Sequence, residues 1–486
     1  MKRSEAFDRL EPPKARFAHA VIDELSSVGG VESITFTGSF LSQTGIGGIS
    51  DIDVVVVVRR LDSDTFIACR KAASRVSPAL LGCSDHELII NDTFGPLKLD
   101  RPGVVVVHLM VYDFASHRQH VLKSPFTCWD WERSDYYAGR TLSEIYPVQR
   151  LAPSQFLGAR RGITDYLEDL EQGELSCRRY RFVGDRCETE KFKHPLDVRH
   201  QGEFAYHIVR NLVHNYAKFI HGRNEVPDSQ SLKEIWASQL PSCASFQRWF
   251  HRLSAIKQRR GSDFPADTVT RTREFLRAFH SDLQTVWRAP ENRLTLIRHS
   301  RTALNDGTFL GQGRDPGIAN QPSSLEHEYR RVVSSPSRRS RETAKALRPQ
   351  ADIEIDERLA EIDYGAAEGL DIEGLTRGYP EMVSAWKRGE DPAFPGGEST
   401  RQVAQRMEAF LSELNGGPTL IVTHNVVLRT LVGTLLGVPL SSWVKIPIEH
   451  VDPIEVVCHA GRFYVDLNET QRATLTDALV GFDSCV

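Results

Sequence analysis

The chain has no CxxC pair, no apolar run long enough to span a membrane, no internal repeat and almost no excess of charge. Each absence removes a class of function. The eight cysteines, Cys69, Cys83, Cys128, Cys177, Cys187, Cys243, Cys458 and Cys485, are scattered. A zinc site of the usual spacing is therefore not expected. The stretch Met1 to Pro13 is charged and lacks the apolar core of a signal peptide. With no spanning segment either, the expectation is a cytoplasmic protein with reduced thiols and no membrane partner. Lys and Arg number 60 against 64 Asp and Glu, a net charge of −4. That balance gives no bulk electrostatic hold on nucleic acid, so nucleic acid is not an expected partner.

What is present is the composition of an ordinary globular protein, 40% hydrophobic and 26% charged over 486 residues. That length suits two or three domains with cores large enough to need no metal or disulfide staple. From Phe17 to about Pro147, helical patterns alternate with β-branched runs at Ser33–Phe36, Ile52–Val58, Glu87–Ile90 and Val104–Tyr112. This reads as an α/β domain over residues 1–150. From Gln155 to about Ala289 strand signals nearly vanish. Ile208, Leu212, Tyr216 and Phe219 recur three or four positions apart on one helical face. A helical bundle over 151–290 is expected. Beyond Pro290 the β-runs return at Leu294–Ile297 and Thr419–Val422, alternating with helices, which predicts a second α/β domain over 291–486.

In that last domain, Leu294-Thr-Leu-Ile-Arg-His-Ser-Arg-Thr ends a buried strand in Arg298-His299. The carboxyl ends of strands are where open α/β sheets present their chemistry. Asn305 comes next in the loop. Ser334-Ser-Pro-Ser-Arg-Arg-Ser-Arg-Glu-Thr-Ala closes a second strand and opens a helix carrying Arg339. Leu359-Ala-Glu-Ile-Asp-Tyr-Gly supplies Glu361, and Thr419-Leu-Ile-Val-Thr-His ends a third strand in His424. Phosphoryl transfer spreads negative charge over three oxygens, which guanidinium and imidazole donors stabilise. A neutral imidazole can take the phosphoryl group covalently, and a carboxyl of raised pKa can protonate the leaving alkoxide.

This stretch of roughly 190 residues resembles the histidine phosphatase superfamily, which includes the phosphoglycerate mutases and the α-ribazole-phosphate phosphatases. The family's Leu-x-Arg-His-Gly-x-Thr opening stands here with Ser300 in place of glycine. Its second motif stands with Ser340 and Glu342 substituted, and its final His-Gly is His424-Asn425. The resemblance implies an α/β sandwich with His299 as nucleophile and Glu361 as general acid. It implies further that Arg298, Arg339 and His424 cradle the phosphate and that no metal takes part; Asn305, by its place in the loop, is expected within reach of a phosphate oxygen. The short segment between Glu361 and His424 favours hydrolysis over mutase chemistry.

Near the N-terminus, Phe36-Thr-Gly-Ser-Phe precedes a Gly-rich stretch and then Ser50-Asp-Ile-Asp-Val-Val-Val-Val-Val. Strand alternation puts Asp51 and Asp53 on one face. A bare Asp-x-Asp is often two solvated acids at a strand start, but two adjacent carboxylates also suit Mg²⁺ ions bound to nucleotide phosphates. Gly38 and Ser39 offer backbone N–H groups and a hydroxyl to phosphate. The pattern resembles the nucleotidyltransferase superfamily that includes DNA polymerase β. That family carries a third carboxylate on a later strand. Here Glu87, His108 and Asp113 all stand near the corresponding position, His108 where an acid would be expected.

These readings predict a bifunctional enzyme acting on an NTP and a small phosphorylated metabolite. One site would perform Mg²⁺-dependent nucleotidyl transfer, the other phosphomonoester hydrolysis. The alternative is a phosphatase regulated by a nucleotide-binding but catalytically inactive nucleotidyltransferase-like domain.

Overall fold

A computed structural model describes the chain apart from residues 43–50, 96, 98, 100, 152–154, 156–162, 185, 222–228, 259–262, 288–292, 415–416, 460 and 482–486. The Gly-rich stretch after Ser39 lies largely outside the described residues, as do residues at or next to the two expected domain boundaries. The chain divides into two compact units, Met1–Leu151 with Gln155–Leu283, and the part from Gln284 onward. Both are built on mixed sheets flanked by helices.

The first unit contains strands β1 (Val31–Thr37), β2 (Ile52–Val58), β3 (Glu87–Asn91), β4 (Val104–Asp113) and β5 (Tyr137–Gly139), in the order β3-β4-β2-β1-β5. β2 runs antiparallel to β1 and parallel to β4. Its run of valines is explained by position, because an interior strand is covered on both faces. Val54, Val56 and Val58 join the core with residues of helices Pro12–Ser26 and Ser63–Ser74. Val55 and Val57, on the opposite face, are equally buried.

The region expected to be a helical bundle holds helices Val198–His221, Ser229–Ser238, Gln247–Gln258 and Thr268–Trp287. Ile208, Leu212, Tyr216 and Phe219 are buried as their spacing predicts. The expectation is corrected at one place. Residues Glu174–Val183 (β6) and Arg186–Pro195 (β7) form an antiparallel hairpin rather than helix. Its apolar positions are diluted by Arg178, Arg179, Arg181, Glu188, Glu190 and Lys191, so no apolar run marks a strand. Lys191 and Lys193 lie on β7. The hairpin has a structural task. β4 outruns β3 beyond His108, and the Tyr180 hydroxyl takes both backbone groups of Val111, donating to its carbonyl at 2.9 Å and accepting from its N–H at 2.6 Å.

The second unit contains β8 (Arg293–Arg298), β9 (Arg331–Ser334), β10 (Ile353–Ile355), β11 (Thr419–Thr423), β12 (Ile454–His459) and β13 (Arg462–Val465), in the order β10-β9-β11-β8-β12-β13. The first four of that order are parallel, and β12 and β13 are antiparallel additions. β11 is buried throughout. Leu420 and Val422 pack with Ala344 and Leu347 of helix Arg338–Leu347. Ile421 faces the other way, toward Val427, Leu428 and Leu431 of helix Asn425–Leu436. The sheet is thus sandwiched between helices, as expected for this part of the chain. Among the described residues, no helix is long and apolar enough to cross a membrane.

Removing the Tyr180 hydroxyl should loosen β4. Tyr180→Phe leaves Val111 N–H and C=O without their partner and should cost about 1–3 kcal/mol locally. Hydrogen exchange should show faster exchange in the C-terminal half of β4 with the second unit unchanged. Unaltered protection would mean that the hydroxyl contributes nothing to holding the strand.

Candidate active site

Parallel pairing brings three strand ends to one level in the second unit. Thr423 is opposite Arg298 on one side of β11, and Val422 is opposite Ser334 on the other. The next residues stay in step. His299 N–H donates to the Thr423 carbonyl at 2.9 Å, and Ser335 N–H to that of Val422 at 3.0 Å. His424 occupies the N-cap of helix Asn425–Leu436. The His299 and His424 rings meet edge to face with centroids 5.1 Å apart.

The hydrogen bonds select which nitrogen of His299 carries the lone pair. Its Nδ1 lies 2.7 Å from the Ser300 carbonyl oxygen, which can only accept, so Nδ1 carries the proton. The lone pair of the neutral ring is then on Nε2. Burial pushes the imidazole pKa down to about 3, helped by Arg339, Arg298 and His450 and opposed by the Ser300 carbonyl. His424 is likewise held neutral, by burial first and then by the neighbouring His299 and Arg339. Its Nε2 lies 2.7 Å from Ser335 Oγ and 3.3 Å from the hydroxyls of Ser337 and Ser340. A hydroxyl donating to Nε2 leaves the ring proton on Nδ1, which is buried with no hydrogen-bond partner among the described residues.

Two guanidiniums share this surrounding. Arg339, 1% exposed, starts the helix after β9 and donates to the carbonyls of Gly311 and Arg314. Arg298 donates to the Ile448 carbonyl at 2.8 Å. The Nε of each is buried with no hydrogen-bond partner among the described residues. Glu361 enters from the segment after the short turn at Glu357–Leu359, tied to the strand ends because Thr423 Oγ1 donates to the Leu359 carbonyl at 2.7 Å. Burial raises the Glu361 pKa, although the N–H groups of Ile362 and Val426 and the charges of Arg339 and Arg298 oppose it. An imidazole nitrogen with a free lone pair, a carboxyl of raised pKa and unsatisfied donors therefore occupy buried positions at these strand ends. That set can accept a phosphoryl group and protonate what leaves.

Asn305 behaves differently from its neighbours. Its side-chain oxygen accepts from Thr302 N–H at 2.8 Å and from Thr302 Oγ1 at 3.1 Å, so it stiffens the loop and has only its amide nitrogen to offer a ligand. Ser300, standing where the family has glycine, donates to the Asn320 carbonyl at 2.7 Å.

Several participants were not singled out from the sequence. Ser335 and Ser337 stand in the strand-end motif but become recognisable only once they surround His424. Glu368 gathers the loop under Arg339, accepting from the N–H groups of Gly311, Gly313 and Arg314. His450 donates Nδ1–H to the His299 carbonyl at 2.7 Å and sets its ring 5.4 Å from that of His299. The next residue, Val451, has φ of 61° and donates its N–H to the Arg298 carbonyl. A β-branched residue in the left-handed region is strained, and such strain gathers where side chains must be held in place.

In the first unit, Gly38, Ser39, Asp51 and Asp53 surround the start of β2. Asp53 is opposite Thr37 on β1 and His108 on β4. Of the three positions considered for a further ligand, only His108 reaches the carboxylates. Its Nδ1 is 2.8 Å from Asp53 Oδ1. Glu87 is at the far end of β3, paired with Arg101. Asp113 caps helix Phe114–Lys123 through Ser116. One donor atom from each of Asp51, Asp53 and His108 lies within 4.8 Å of the others. This set could hold one divalent cation; among the described residues, neither Glu87 nor Asp113 is brought to Asp53 as a third carboxylate.

Known proteins match part of the chain, and the family model lies within the second unit. The model of the Histidine phosphatase superfamily (branch 1) matches residues 294–470. The chain is 29% identical over 210 residues to Phosphoserine phosphatase 1 of Hydrogenobacter thermophilus, covering 36% of this chain and 98% of that protein. It is 32% identical over 164 residues to the Probable phosphoglycerate mutase GpmB of Salmonella paratyphi B, covering 30% of this chain and 74% of that protein. Among solved structures, the native mycobacterial glucosyl-3-phosphoglycerate phosphatase is 26% identical, with 36% of this chain and 97% of that one covered and a TM-score of 0.31.

The turn at Gly38 should tolerate no side chain. Gly38 has φ of +79°, and a Cβ there would stand 2.4 Å from Asp53 Oδ2. Gly38→Ala should therefore destabilise the first unit by about 1–2 kcal/mol for the backbone alone and displace the Asp53 carboxylate. Thermal unfolding of the variant against wild type checks this; an unchanged transition would mean that the turn relaxes without strain.

Proposed function

Because the chain belongs, through residues 294–470, to the histidine phosphatase superfamily, we propose that it hydrolyses a small phosphomonoester through a phosphohistidine formed on His299. The observation that carries this reading is the bond from His299 Nδ1 to the Ser300 carbonyl, in a pocket that keeps the ring neutral. It dedicates Nε2 to attack. In the first step Nε2 bonds to phosphorus as the P–O ester bond breaks, and the Glu361 carboxyl gives its proton to the leaving oxygen. In the second, water attacks the phosphohistidine, Glu361 takes the proton from that water, and phosphate departs with Nε2 restored. Arg298, Arg339 and His424 Nδ1–H hold the non-bridging oxygens, where charge accumulates. The relatives are named for phosphoserine and phosphoglycerate, which fits a small phosphorylated metabolite as substrate. The short segment between Glu361 and His424 favours water over a second hydroxyl as acceptor.

For residues 1–150 the nucleotidyltransferase reading rests on Gly38-Ser39 and Asp51/Asp53. A divalent cation held by those carboxylates would neutralise nucleotide phosphates. His108 in place of a third acid favours the alternative, a domain that binds nucleotide and regulates the phosphatase without transferring it.

Two experiments separate these possibilities. With a panel of small phosphomonoesters, His299→Ala should abolish turnover and the acid-labile phosphoenzyme seen after rapid quenching. Glu361→Gln should lower kcat by about 10²–10⁴ and remove the alkaline limb of the kcat/KM profile. The sign comes from the role: Glu361 must be protonated in the first step, so activity falls as pH rises through its raised pKa. His299 stays deprotonated down to about pH 3 and should impose no acid limb above that. A phosphoenzyme that survives in His299→Ala would sink the reading. Separately, pyrophosphate release from the four NTPs should be compared between wild type and Asp51→Ala/Asp53→Ala. Release that needs the two acids would establish transfer; nucleotide binding that changes phosphatase rate without release would establish regulation.

A further inference from the structure

We infer that Asp51, Asp53 and His108 form a binding site for a single divalent cation of the Mn²⁺, Co²⁺ or Zn²⁺ class, with the imidazole nitrogen as a direct ligand. Strand pairing brings the three together. β2 and β4 are parallel neighbours, and their register sets Asp53 and His108 directly opposite. Side chains opposite one another in a sheet project to the same face, a few ångströms apart. Asp51 stands two residues before Asp53 and, by the two-residue period of the strand, reaches that face too. The three donor atoms all come within 4.8 Å of one another. Ligand atoms bonded to one first-row cation at about 2.0–2.2 Å lie roughly 3 Å apart, so only a small contraction is needed.

The orientation of His108 makes this more than a cluster of acids. Its Nε2 is 2.8 Å from the Thr93 carbonyl oxygen, which can only accept, so Nε2 holds a proton. The ring therefore turns Nδ1 toward the carboxylates, 2.8 Å from Asp53 Oδ1; a carboxylate oxygen only accepts, so Nδ1–H donates there, and a bound cation takes the place of that proton, which is released to solvent. A ring N–H given to a backbone carbonyl while the other nitrogen faces anionic oxygens is the arrangement by which proteins orient metal-binding histidines. Thr93 is itself held, because Asn91 Oδ1 accepts both its N–H and its hydroxyl. Gly38 approaches Asp53 from the other side with no room for a Cβ. The site is also reachable, since the Asp53 side chain is 26% exposed and that of His108 14%.

Donor chemistry then selects the cation. Mg²⁺ prefers oxygen ligands and retains water, whereas imidazole suits Co²⁺ and Zn²⁺, and Mn²⁺, at the foot of the Irving–Williams order, still accepts a mixed carboxylate–imidazole set more readily than Mg²⁺. Replacing a third carboxylate by imidazole lowers the negative charge of the site and adds a softer donor, and both changes move preference away from Mg²⁺ and Ca²⁺. This inference does not depend on nucleotidyl transfer. It is read from metal binding without nucleotide, so failure of pyrophosphate release leaves it untouched.

The test uses the full chain, stripped with chelator and dialysed, titrated separately with Mn²⁺, Co²⁺, Zn²⁺, Mg²⁺ and Ca²⁺ by calorimetry. Mn²⁺ and Co²⁺ should bind at least about tenfold more tightly than Mg²⁺. Pulsed electron paramagnetic resonance of the Mn²⁺ form should show coupling to one imidazole nitrogen. His108→Ala should lose that coupling and weaken Mn²⁺ by about 10- to 100-fold. His108→Asp should bring Mg²⁺ to within about threefold of Mn²⁺. Asp51→Asn, which lies outside the strand, tests the site without disturbing the β2–β4 pairing and should also weaken Mn²⁺ by about tenfold or more. His299→Ala should bind as wild type, excluding His299 as the source of the signal. Circular dichroism confirms that each variant is folded. Nitrogen coupling that persists in folded His108→Ala, Mg²⁺ binding as tight as Mn²⁺ in wild type, or no binding of Mn²⁺, Co²⁺ or Zn²⁺ to wild type would each overturn the inference.

Discussion

The pairing of β11 with both β8 and β9 is the constraint on which the phosphatase-type site depends. β11 is buried on every side and lies between two parallel partners. Its register sets Thr423 against Arg298 and Val422 against Ser334. A slip of one residue would turn Leu420 and Val422 away from helix Arg338–Leu347 and into the opposite layer, so the apolar pattern holds the register firmly. The polar groups inherit that precision. His299, Ser335 and His424 are simply the residues next after three strands whose lengths and alignment the core has already determined. Thr423 extends the same control to Glu361 by binding the Leu359 carbonyl.

Burial then performs the electrostatics. One physical cause, removal from water, lowers the pKa of His299 and raises that of Glu361, because it penalises whichever form is charged. A neutral imidazole and a carboxyl held toward its protonated form can therefore stand beside two guanidiniums. Opposed shifts of neighbouring groups are the usual mark of divided acid and base roles. The guanidiniums limit how far Glu361 rises and deepen the fall at His299, so their positions tune both groups as well as offering donors. Ser335, Ser337 and Ser340 orient His424 from behind, and His450 with its strained neighbour Val451 braces His299 from the opposite side.

The first unit uses strand ends in a similar way with different donors. β2 is again the buried interior strand, and the groups at its start face one residue from each neighbour. Here the tertiary arrangement changed the chemistry that the motif alone suggested. Asp-x-Asp after Gly-Ser points to paired Mg²⁺ ions and a third acid; the sheet brings an imidazole to Asp53, while Glu87 and Asp113 are engaged elsewhere.

Much of this was determined by sequence alone. The valine run of β2, the strands around Leu296 and Ile421 and the helix through Leu212 and Tyr216 come from apolar periodicity, a local property. Arg298-His299, Arg339 and His424 were legible because each sits where a strand gives way to a loop or helix, within a motif a few residues long. The β6–β7 hairpin escaped because its exposed positions are crowded with arginine, lysine and glutamate, and its pairing is not a local property. Only the tertiary structure decided which distant residues meet. His450 is 151 positions from His299, and His108 is 55 from Asp53. Nothing near either histidine announces its partner, because the contact is made by the register of neighbouring strands and the burial that surrounds them.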